Sequence, residues 1–282
     1  MSLQADAGVS VHGQIRPRHT EVRLVTGTAR VFLLRFASNP IMLIRGPLGP
    51  VLTLVGFHLV YDISGQHQVA GVDAMGFLVV GMLGSLAWSS TVWGSGNAIQ
   101  SEVYQGTVSS VLVAPGRISS VIVGYGVGSI LFNVPALIVS VLAGVLFGAD
   151  FRLDHPVAVL VTLAAVYGCC LCIGLGFGGL FVLSRQSNAL SNFLQGPVYL
   201  LAGLFVPRSV FPEWLQWVSD VLPIAHAVDA LRATTLSGAS LAEVWPALAA
   251  SAATSLLFLA AGLWGLHHLD DVVRRRATLD LL

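Results

Sequence analysis

The sequence predicts an all-α polytopic membrane protein with six transmembrane helices, an N-terminal interfacial helix and a re-entrant hairpin before the last span. Apolar residues make up 55% of the 282-residue chain and charged residues only 10%, against about 25% charged in soluble domains. The mean hydropathy is +0.80. Apolar runs of about 20 residues with few charges are typical of membrane-spanning helices, whereas the strands of a membrane barrel would alternate apolar and polar residues.

Residues 1–40 are expected to form a cytoplasmic tail that ends in an amphipathic helix. Within this segment Leu24, Thr28, Val31 and Phe32 share one helical face, and two arginines share another. That pattern is typical of an interfacial helix lying on the inner leaflet, and a helical extension of the first span is the alternative. We expect no secretory signal peptide, because such a peptide places its apolar core directly after a short charged region.

Six apolar segments within residues 41–267 are long enough to cross a bilayer and form the predicted transmembrane domain. A seventh, more polar stretch at about 210–231 is interrupted by prolines, acidic residues and a histidine. Irregular backbone at membrane depth must be covered by protein or water, so residues 207–232 are predicted to form a re-entrant hairpin. Residues 268–282 are predicted to form a second cytoplasmic tail. The predicted spans are 41–61, 75–99, 119–148, 156–183, 188–206 and 246–267.

All fourteen basic residues are arginine, and their distribution predicts the orientation, because cytoplasmic loops carry the excess of basic residues. Eleven arginines fall in the two tails, at the start of the first span, and in the loops after the second and fourth spans. Both termini are therefore predicted to face the cytoplasm. The formal net charge is zero, and without an isolated basic stripe no nucleic-acid binding is expected. The three arginines in the remaining, outer loops are Arg152, Arg208 and Arg232.

Three sequence motifs imitate cofactor or catalytic sites. Cys169, Cys170 and Cys172 are adjacent on one apolar helix and point in different directions, so packing of small buried residues is favoured over a metal site. The G-x-G-x-x-G run at 174–179 lies inside an apolar span, which indicates close helix packing rather than dinucleotide binding. The run HHLDD at 267–271 is typical of a solvated helix end, and metal-assisted chemistry on a lipid phosphate is the alternative.

His226 and Asp229 lie in the predicted re-entrant segment. Ionisable side chains at membrane depth are costly and often functional. Asp229 and Arg232 are three positions apart, which allows a local ion pair on one helix face. We favour a structural role for this pair, and a role in the substrate path or in proton handling is the alternative.

The chain contains no lysine, so it cannot form a P-loop, in which a lysine reaches the nucleotide phosphates. The spans also show no clear set of ionisable groups near the midplane and no inverted repeat, the features expected of an ion-coupled carrier. If the protein moves a solute uphill, the energy is expected to come from a separate subunit. We therefore expect no catalytic residue, metal or cofactor in this chain.

The loop after the second span is polar although apolar runs surround it. Residues 99–117 read IQSEVYQGTVSSVLVAPGR. This composition predicts a short amphipathic helix on the cytoplasmic face, closed by Pro-Gly. Such an element can fill a groove on a partner protein, and a plain polar connector is the alternative.

Glu102, Gly106, Thr107 and Pro115 in this loop resemble the loop that follows the second span in type-2 ABC exporter permeases. A second resemblance covers the family's segment between the fifth and sixth spans. The chain resembles the permeases of daunorubicin-type drug-resistance exporters and those of nodulation-factor and polysaccharide exporters. The residues that carry the second resemblance are Gly203, Phe205, Pro207, Pro212, Trp214, Leu215, Gln216, Pro223, His226 and Arg232.

The resemblance implies a half-transporter in the bacterial cytoplasmic membrane. Two permease chains, identical or related, would pair above two ABC ATPase subunits that bind ATP and Mg²⁺, and the loop at 100–117 would be the coupling helix. The cargo would be an amphiphilic or hydrophobic drug, lipid, glycolipid or metabolite, exported from the cytoplasm or the inner leaflet. An ATP-independent channel or secondary carrier is one alternative, and a lipid-modifying membrane enzyme is another.

The resemblance also implies two sets of transport residues. The cargo path would run between the two permease chains along the second and fifth spans, and ordinary packing is the alternative for its tryptophans. Uncharged amides and amphipathic aromatic side chains suit a large amphiphile better than an ion. The candidate path residues are Trp88, Ser89, Trp93, Asn188, Asn192 and Gln195. The candidate exit and re-entrant residues are Phe205, Pro207, Phe211, Pro212, Trp214, Trp217, Pro223, His226, Asp229 and Arg232.

Overall fold

The computed structural model of the chain describes residues 18–65, 67–96, 118–183 and 187–279, and within them the backbone is almost entirely helical. The predicted all-α class is therefore confirmed, apart from a hairpin of two-residue strands, β1 (Gln68–Val69) and β2 (Val72–Asp73), which pair antiparallel. A π-helical turn covers Val92–Gly96, and a 3-10 turn covers Arg208–Val210. The helices are α1 (Arg18–Ala37), α2 (Pro40–Ser64), α3 (Ala74–Thr91), α4 (Ile118–Leu146), α5 (Pro156–Leu183), α6 (Ser187–Leu201), α7 (Glu213–Asp220), α8 (Pro223–Leu236) and α9 (Leu241–Leu279).

Five helical segments in the described part of the chain are long and apolar enough to cross a bilayer. They match the first four predicted spans and the last one. The predicted fifth span, 188–206, falls on α6, whose 15 residues extend only about 22 Å, less than the roughly 30 Å of a hydrocarbon core. The count of six spans and the re-entrant hairpin therefore stay predictions. The five segments are Pro40–Ser64, Ala74–Gly94, Ser120–Leu146, Pro156–Phe177 and Leu241–Trp264.

Helix α1 packs lengthwise along the first half of α4. Glu21 accepts a hydrogen bond from the Ser120 hydroxyl at 2.5 Å, and the rings of Phe32 and Tyr125 meet edge-on with centroids 5.8 Å apart. Phe32 is buried as the predicted apolar face requires, but Val31 is 58% exposed and lies outside the contact. The buried face of α1 is therefore rotated away from Val31, because it is set by the neighbouring helix.

A break of two residues, Ser38 and Asn39, separates α1 from α2. The Asn39 side chain caps α2 by accepting a hydrogen bond from a backbone amide two residues later at 3.1 Å. Helix α2 then continues along the second half of α4, where Leu54 packs against Ala143. Helix α1 is thus a separate helix that packs on α4, and its interfacial position stays a prediction.

Helix α3 forms the centre of the fold, and almost all of its residues are buried. It contacts α2, α4, α5 and α8. Trp88 of α3 belongs to the same buried cluster as Cys169 and Cys170 on α5 and Leu231 on α8. The interpretation of Cys169 and Cys170 as small packed core residues is confirmed, since both thiols are buried among apolar side chains.

Glycines let the helices of this core approach one another closely. A Cβ at Gly262 on α9 would overlap the backbone of Gly176 on α5, so these two helices cross where neither carries a side chain. The packing role predicted for the glycine run is confirmed at Gly176. Gly124 and Gly128 on α4 similarly make room for α1, where an added Cβ would lie 2.7–3.3 Å from the nearest α1 atoms.

Helix α9 is much longer than its apolar part. It runs for 39 residues, although the segment apolar enough to cross a bilayer ends at Trp264. The helix therefore continues about 22 Å beyond that point. The HHLDD run at 267–271 belongs to this extension.

Replacing Gly81 with valine should destabilise the protein by about 3 kcal/mol, because overpacking of a filled core forces the backbone to shift. A Cβ at Gly81 would overlap the carbonyl group of Leu204. The loss should appear as a lower melting temperature of the detergent-solubilised chain. Gly56→Val is the matched control, since a Cβ there meets nothing within 4 Å. Equal melting temperatures for the two variants would contradict this packing.

Candidate functional site

The predicted coupling residues Glu102, Gly106, Thr107 and Pro115 lie outside the residues that the structure describes. The described chain stops at Gly96, directly after the π-helical turn that ends α3, and resumes at Ile118, where α4 begins. The two ends of the coupling segment therefore attach to the central helix and to the helix that carries α1. The coupling role stays a prediction.

The end of α6 forms the centre of the candidate exit site. Gly203 adopts a left-handed conformation with φ of +68°, and its amide donates to the Leu200 carbonyl at 3.0 Å. The Leu204 amide donates to the Tyr199 carbonyl at 3.1 Å. These two bonds form a Schellman C-cap, so the apolar stretch that was predicted to be one span turns away after Leu201.

Arg232 on α8 ties this turn to the core. One of its terminal nitrogens, Nη2, donates to the carbonyl oxygens of Gly203 and Leu204 at 2.7 and 2.8 Å. The guanidinium group also lies 3.8 Å above the Phe77 ring centroid on α3, a cation–π geometry. The other terminal nitrogen lies 3.6 Å from the Asp229 carboxylate. A single side chain thus joins α3, α6 and α8.

Arg208, in the 3-10 turn, extends this network outward. It donates to the Asp229 carboxylate at 2.7 Å and forms a second ion pair with Asp220 at the end of α7. The Nε2 atom of His226 lies 2.8 Å from the Asp220 carbonyl oxygen. Two arginines and two aspartates therefore hold α7 and α8 together, and their formal charges cancel. We call Arg208, Asp220, Asp229 and Arg232 the outer ion-pair network.

The local pair between Asp229 and Arg232 was predicted from their spacing and is confirmed at 3.6 Å. The shorter contact of Asp229 is with Arg208, which the sequence analysis missed. Burial lowers the pKa of Arg232 to about 10, with Asp229 opposing this shift and Arg208 adding to it, so the guanidinium group stays charged at neutral pH. The signal for Arg208 was its place among the three arginines that the sequence analysis assigned to outer loops, because a buried arginine needs a carboxylate partner.

Both arginines are held at the edge of the core and not in open solvent. The side chain of Arg208 is 18% exposed and that of Arg232 is 11% exposed. Their acidic partners are more exposed, at 53% for Asp220 and 42% for Asp229. The Nε atoms of both arginines are buried without a partner among the described residues. Such a site tolerates the loss of one charge poorly, because the remaining partners lose compensation that water does not fully replace.

Aromatic side chains of the predicted exit set divide into two groups. Phe205 packs inward, with its ring stacked on Phe57 at a centroid distance of 5.9 Å. Trp214 and Trp217 on α7 are 64% and 72% exposed, so this short helix presents its aromatic face away from the chain. Phe211 is half-buried.

The prolines of this set mark the ends of elements, as their missing amide and fixed φ favour. Pro207 precedes the 3-10 turn, and Pro212 precedes α7. Pro223 is the first residue of α8, where its carbonyl accepts a hydrogen bond from the Ser251 hydroxyl of α9 at 3.0 Å. The sequence motif therefore fixes the turns that bring the outer ion-pair network together.

The structure brings only part of the predicted path set together. Gln195 donates to the hydroxyl of Tyr199, a residue that the sequence analysis missed, at 3.0 Å, and the Tyr199 hydroxyl donates to the Ser85 carbonyl at 3.2 Å. The Ser89 hydroxyl donates to the Leu86 carbonyl of its own helix at 3.2 Å. This cluster joins α3 to α6.

The remaining path residues lie apart from that cluster. Trp88 is only 1% exposed and packs edge-on against Phe177, so in this structure it has the packing role that was left open. Trp93 is half-buried, and Asn192 lies on the exposed face of α6. The side chain of Asn188 is outside the described part of the structure.

Among the described residues, no group of three or more histidine, cysteine, aspartate or glutamate side chains is placed to hold a metal ion. The residues of the outer ion-pair network instead connect neighbouring helices through ion pairs and hydrogen bonds.

Replacing Arg232 with glutamine should lower the free energy of unfolding by about 3 kcal/mol, because removing one member of a buried pair leaves the others uncompensated. Arg232→Lys should recover only part of this loss, since an ammonium group lacks the planar fork that serves two carbonyls and a carboxylate. Thermal unfolding in detergent measures both. Arg152→Gln, at an exposed arginine, is the control, and a shift as large as that of Arg232→Gln would argue against the network.

Comparison with known proteins places this arrangement in a family. The model of the ABC-2 type transporters matches residues 23–236. A daunorubicin resistance ABC transporter permease protein of Streptomyces coeruleorubidus is 24% identical over 232 residues, which cover 80% of each chain. A probable multidrug ABC transporter permease of Escherichia coli K12 is 27% identical over 184 residues, 63% of this chain and 48% of that protein. ABC transporter G family member 20 of Dictyostelium discoideum is 24% identical over 180 residues, 61% of this chain and 24% of that protein. The chain therefore belongs to the ABC-2 type transporter family and is the transmembrane permease subunit of an ABC exporter.

Proposed function

We propose that this permease moves an amphiphilic or hydrophobic cargo outward, driven by ATP that a separate subunit hydrolyses. The observation that carries the proposal is the family match over residues 23–236 in a chain that contains no lysine for a P-loop. Two ATPase subunits would supply the nucleotide sites with ATP and Mg²⁺. Two permease chains, identical or related, would form the membrane part, in a bacterial cytoplasmic membrane with both termini in the cytoplasm.

The coupling loop at residues 100–117 would transmit the movement of the ATPase. The segment is attached to the π-helical turn after α3 at one end and to α4 at the other, so a displacement of it acts on the centre of the fold. Glu102 and Thr107 would lie in the groove of the ATPase. Gly106 and Pro115 would fix the backbone, which a mechanical link requires.

The outer ion-pair network would make the exit side move as one body. Arg232 holds the end of α6 against α3, and Arg208 holds α7 against α8. A displacement of α3 is therefore passed to the turn at 203–205 without a flexible joint. The two permease states would differ in cargo affinity, as alternating access requires.

The cargo path would follow the face of α6 that the described residues leave uncovered. Phe193 is 73% exposed and Leu200 is 46% exposed on that face, beside Asn192. An apolar face with an amide suits an amphiphile. The daunorubicin resistance permease is named for a drug; for the present chain the proposed cargo class is a drug, lipid, glycolipid or metabolite.

Mutations in the coupling segment should separate ATP hydrolysis from transport. Glu102→Arg and Gly106→Pro should abolish cargo-stimulated ATPase activity while the permease still inserts in the membrane, because they alter the docking charge and the backbone. Glu213→Arg, at an exposed acid of α7, is the matched control. Normal stimulation in both coupling variants would refute this role.

The partner itself is tested by tagging the chain, solubilising native membranes gently and identifying by mass what is recovered with it. We expect a P-loop ATPase that is lost when residues 102–107 are replaced. Repeated recovery of this chain alone would favour a channel or carrier, or an enzyme that depends on the HHLDD run.

Pairing of two permease chains should bring the uncovered faces of α6 together. Phe193→Cys, in a background without the three native cysteines, should form a disulfide-linked dimer in membranes treated with an oxidant. Leu257→Cys on α9 is the control, because that residue is 70% exposed but lies on a helix outside the proposed path. A dimer with Leu257→Cys and none with Phe193→Cys would place the contact elsewhere.

A further inference from the structure

One face of α1 carries basic and large apolar side chains together and is not covered by the described part of the chain. Arg23 and Arg30 are exposed, and Val22, Val31 and Leu34 are 61%, 58% and 62% exposed. Exposing these three apolar side chains to water would be unfavourable. Exposing the two arginines to hydrocarbon alone would also be unfavourable. The combination fits the boundary where lipid headgroups meet acyl chains.

The two arginines lie on the same side of the helix. They are seven residues apart, which corresponds to about 10 Å along the axis. Gly27 lies between them, and a Cβ there would meet nothing within 4 Å. The surface between the two guanidinium groups is therefore open, and both can reach a phosphate group held over it.

Among the residues that the structure describes, no acidic side chain forms an ion pair with Arg23 or Arg30. Between residues 18 and 61 the sequence has a single acidic residue, Glu21. Its carboxylate turns to the opposite side of the helix, where it accepts the hydrogen bond from Ser120. Arg35 and Arg45 are also exposed, so the whole segment that leads into α2 presents positive charge.

The protein side of α1 is fixed, which makes the exposed face a built surface. Phe32 and Phe36 stack with ring centroids 4.3 Å apart, and Phe32 also meets Tyr125 and Phe132 of α4. This aromatic contact prevents α1 from rotating, so the arginines keep facing outward.

We propose that the exposed face of α1 binds anionic phospholipids, with Arg23 and Arg30 holding the phosphate of the headgroup and the neighbouring apolar residues contacting the acyl chains. Charge complementarity selects this occupant: the face is positive and has no acidic residue of its own, and arginine forms paired hydrogen bonds with phosphate oxygens. Each arginine near an anionic membrane surface changes lipid affinity by about fivefold. The proposal does not depend on the cargo or on ATP coupling.

The experiment is a titration of the full-length, detergent-solubilised permease with phosphatidylglycerol or phosphatidylcholine, read by native mass spectrometry. The wild-type chain should bind phosphatidylglycerol more tightly than phosphatidylcholine. The double variant Arg23→Gln/Arg30→Gln should lose about twenty-fivefold in affinity for phosphatidylglycerol, with little change for phosphatidylcholine. Arg23→Lys/Arg30→Lys should retain a preference for the anionic lipid, and Arg152→Gln, an exposed arginine elsewhere, should behave as wild type.

A second measurement needs no variant. Raising the ionic strength from about 0.05 M to about 0.5 M should weaken phosphatidylglycerol binding to the wild-type chain, since screening shortens the reach of exposed charges. The proposal is overturned if the wild type binds the two lipids equally or if salt has no effect on phosphatidylglycerol binding. It is likewise overturned if the double variant binds phosphatidylglycerol as tightly as the wild type, or if Arg152→Gln loses as much affinity as the double variant. It is also overturned if the double variant keeps its lipid binding but no longer recovers an ATPase from native membranes, because the face would then belong to that protein.

Discussion

The carbonyl group of Leu204 is the point at which the end of α6 is fixed to the central helix. It abuts α3 where Gly81 has no side chain, and it accepts a hydrogen bond from Arg232 at 2.8 Å. Because a carbonyl in an apolar surrounding needs a donor, the backbone turn and the buried arginine stabilise each other. The Schellman cap at Gly203, the ion pairs of Asp229 and the docking of α8 all depend on that contact.

The distribution of chemistry in the chain follows from this constraint. In the described part of the chain, the helices of the core meet largely through glycines and apolar side chains, and the ion pairs lie in the outer ion-pair network. A permease that changes conformation needs firm contacts between its helices. Uncharged packing allows helices to slide, whereas a charged joint with few alternative partners resists separation.

Most of the fold could be predicted because membrane insertion is read locally, from runs of apolar residues. The end of α6 was not predicted, because Gly203 lies inside an apolar run and only its left-handed backbone conformation reveals the turn. The contact of Arg208 with Asp229 spans 21 residues, so spacing rules for a single helix could not find it. Val31 was placed on the wrong face because lipid and α4 are both apolar neighbours, and Trp88 could serve either packing or transport until its burial was known.

The extension of α9 beyond its apolar part has a practical consequence for spectroscopy. A fluorophore or spin label near residue 279 is attached to the membrane part by continuous helix and not by a flexible tether. Its position therefore follows the tilt of α9, and a small rotation of that helix is amplified by the length of the arm. Distances between two such labels in an assembled transporter would report rigid-body movement of the permease chains directly, without labelling the core.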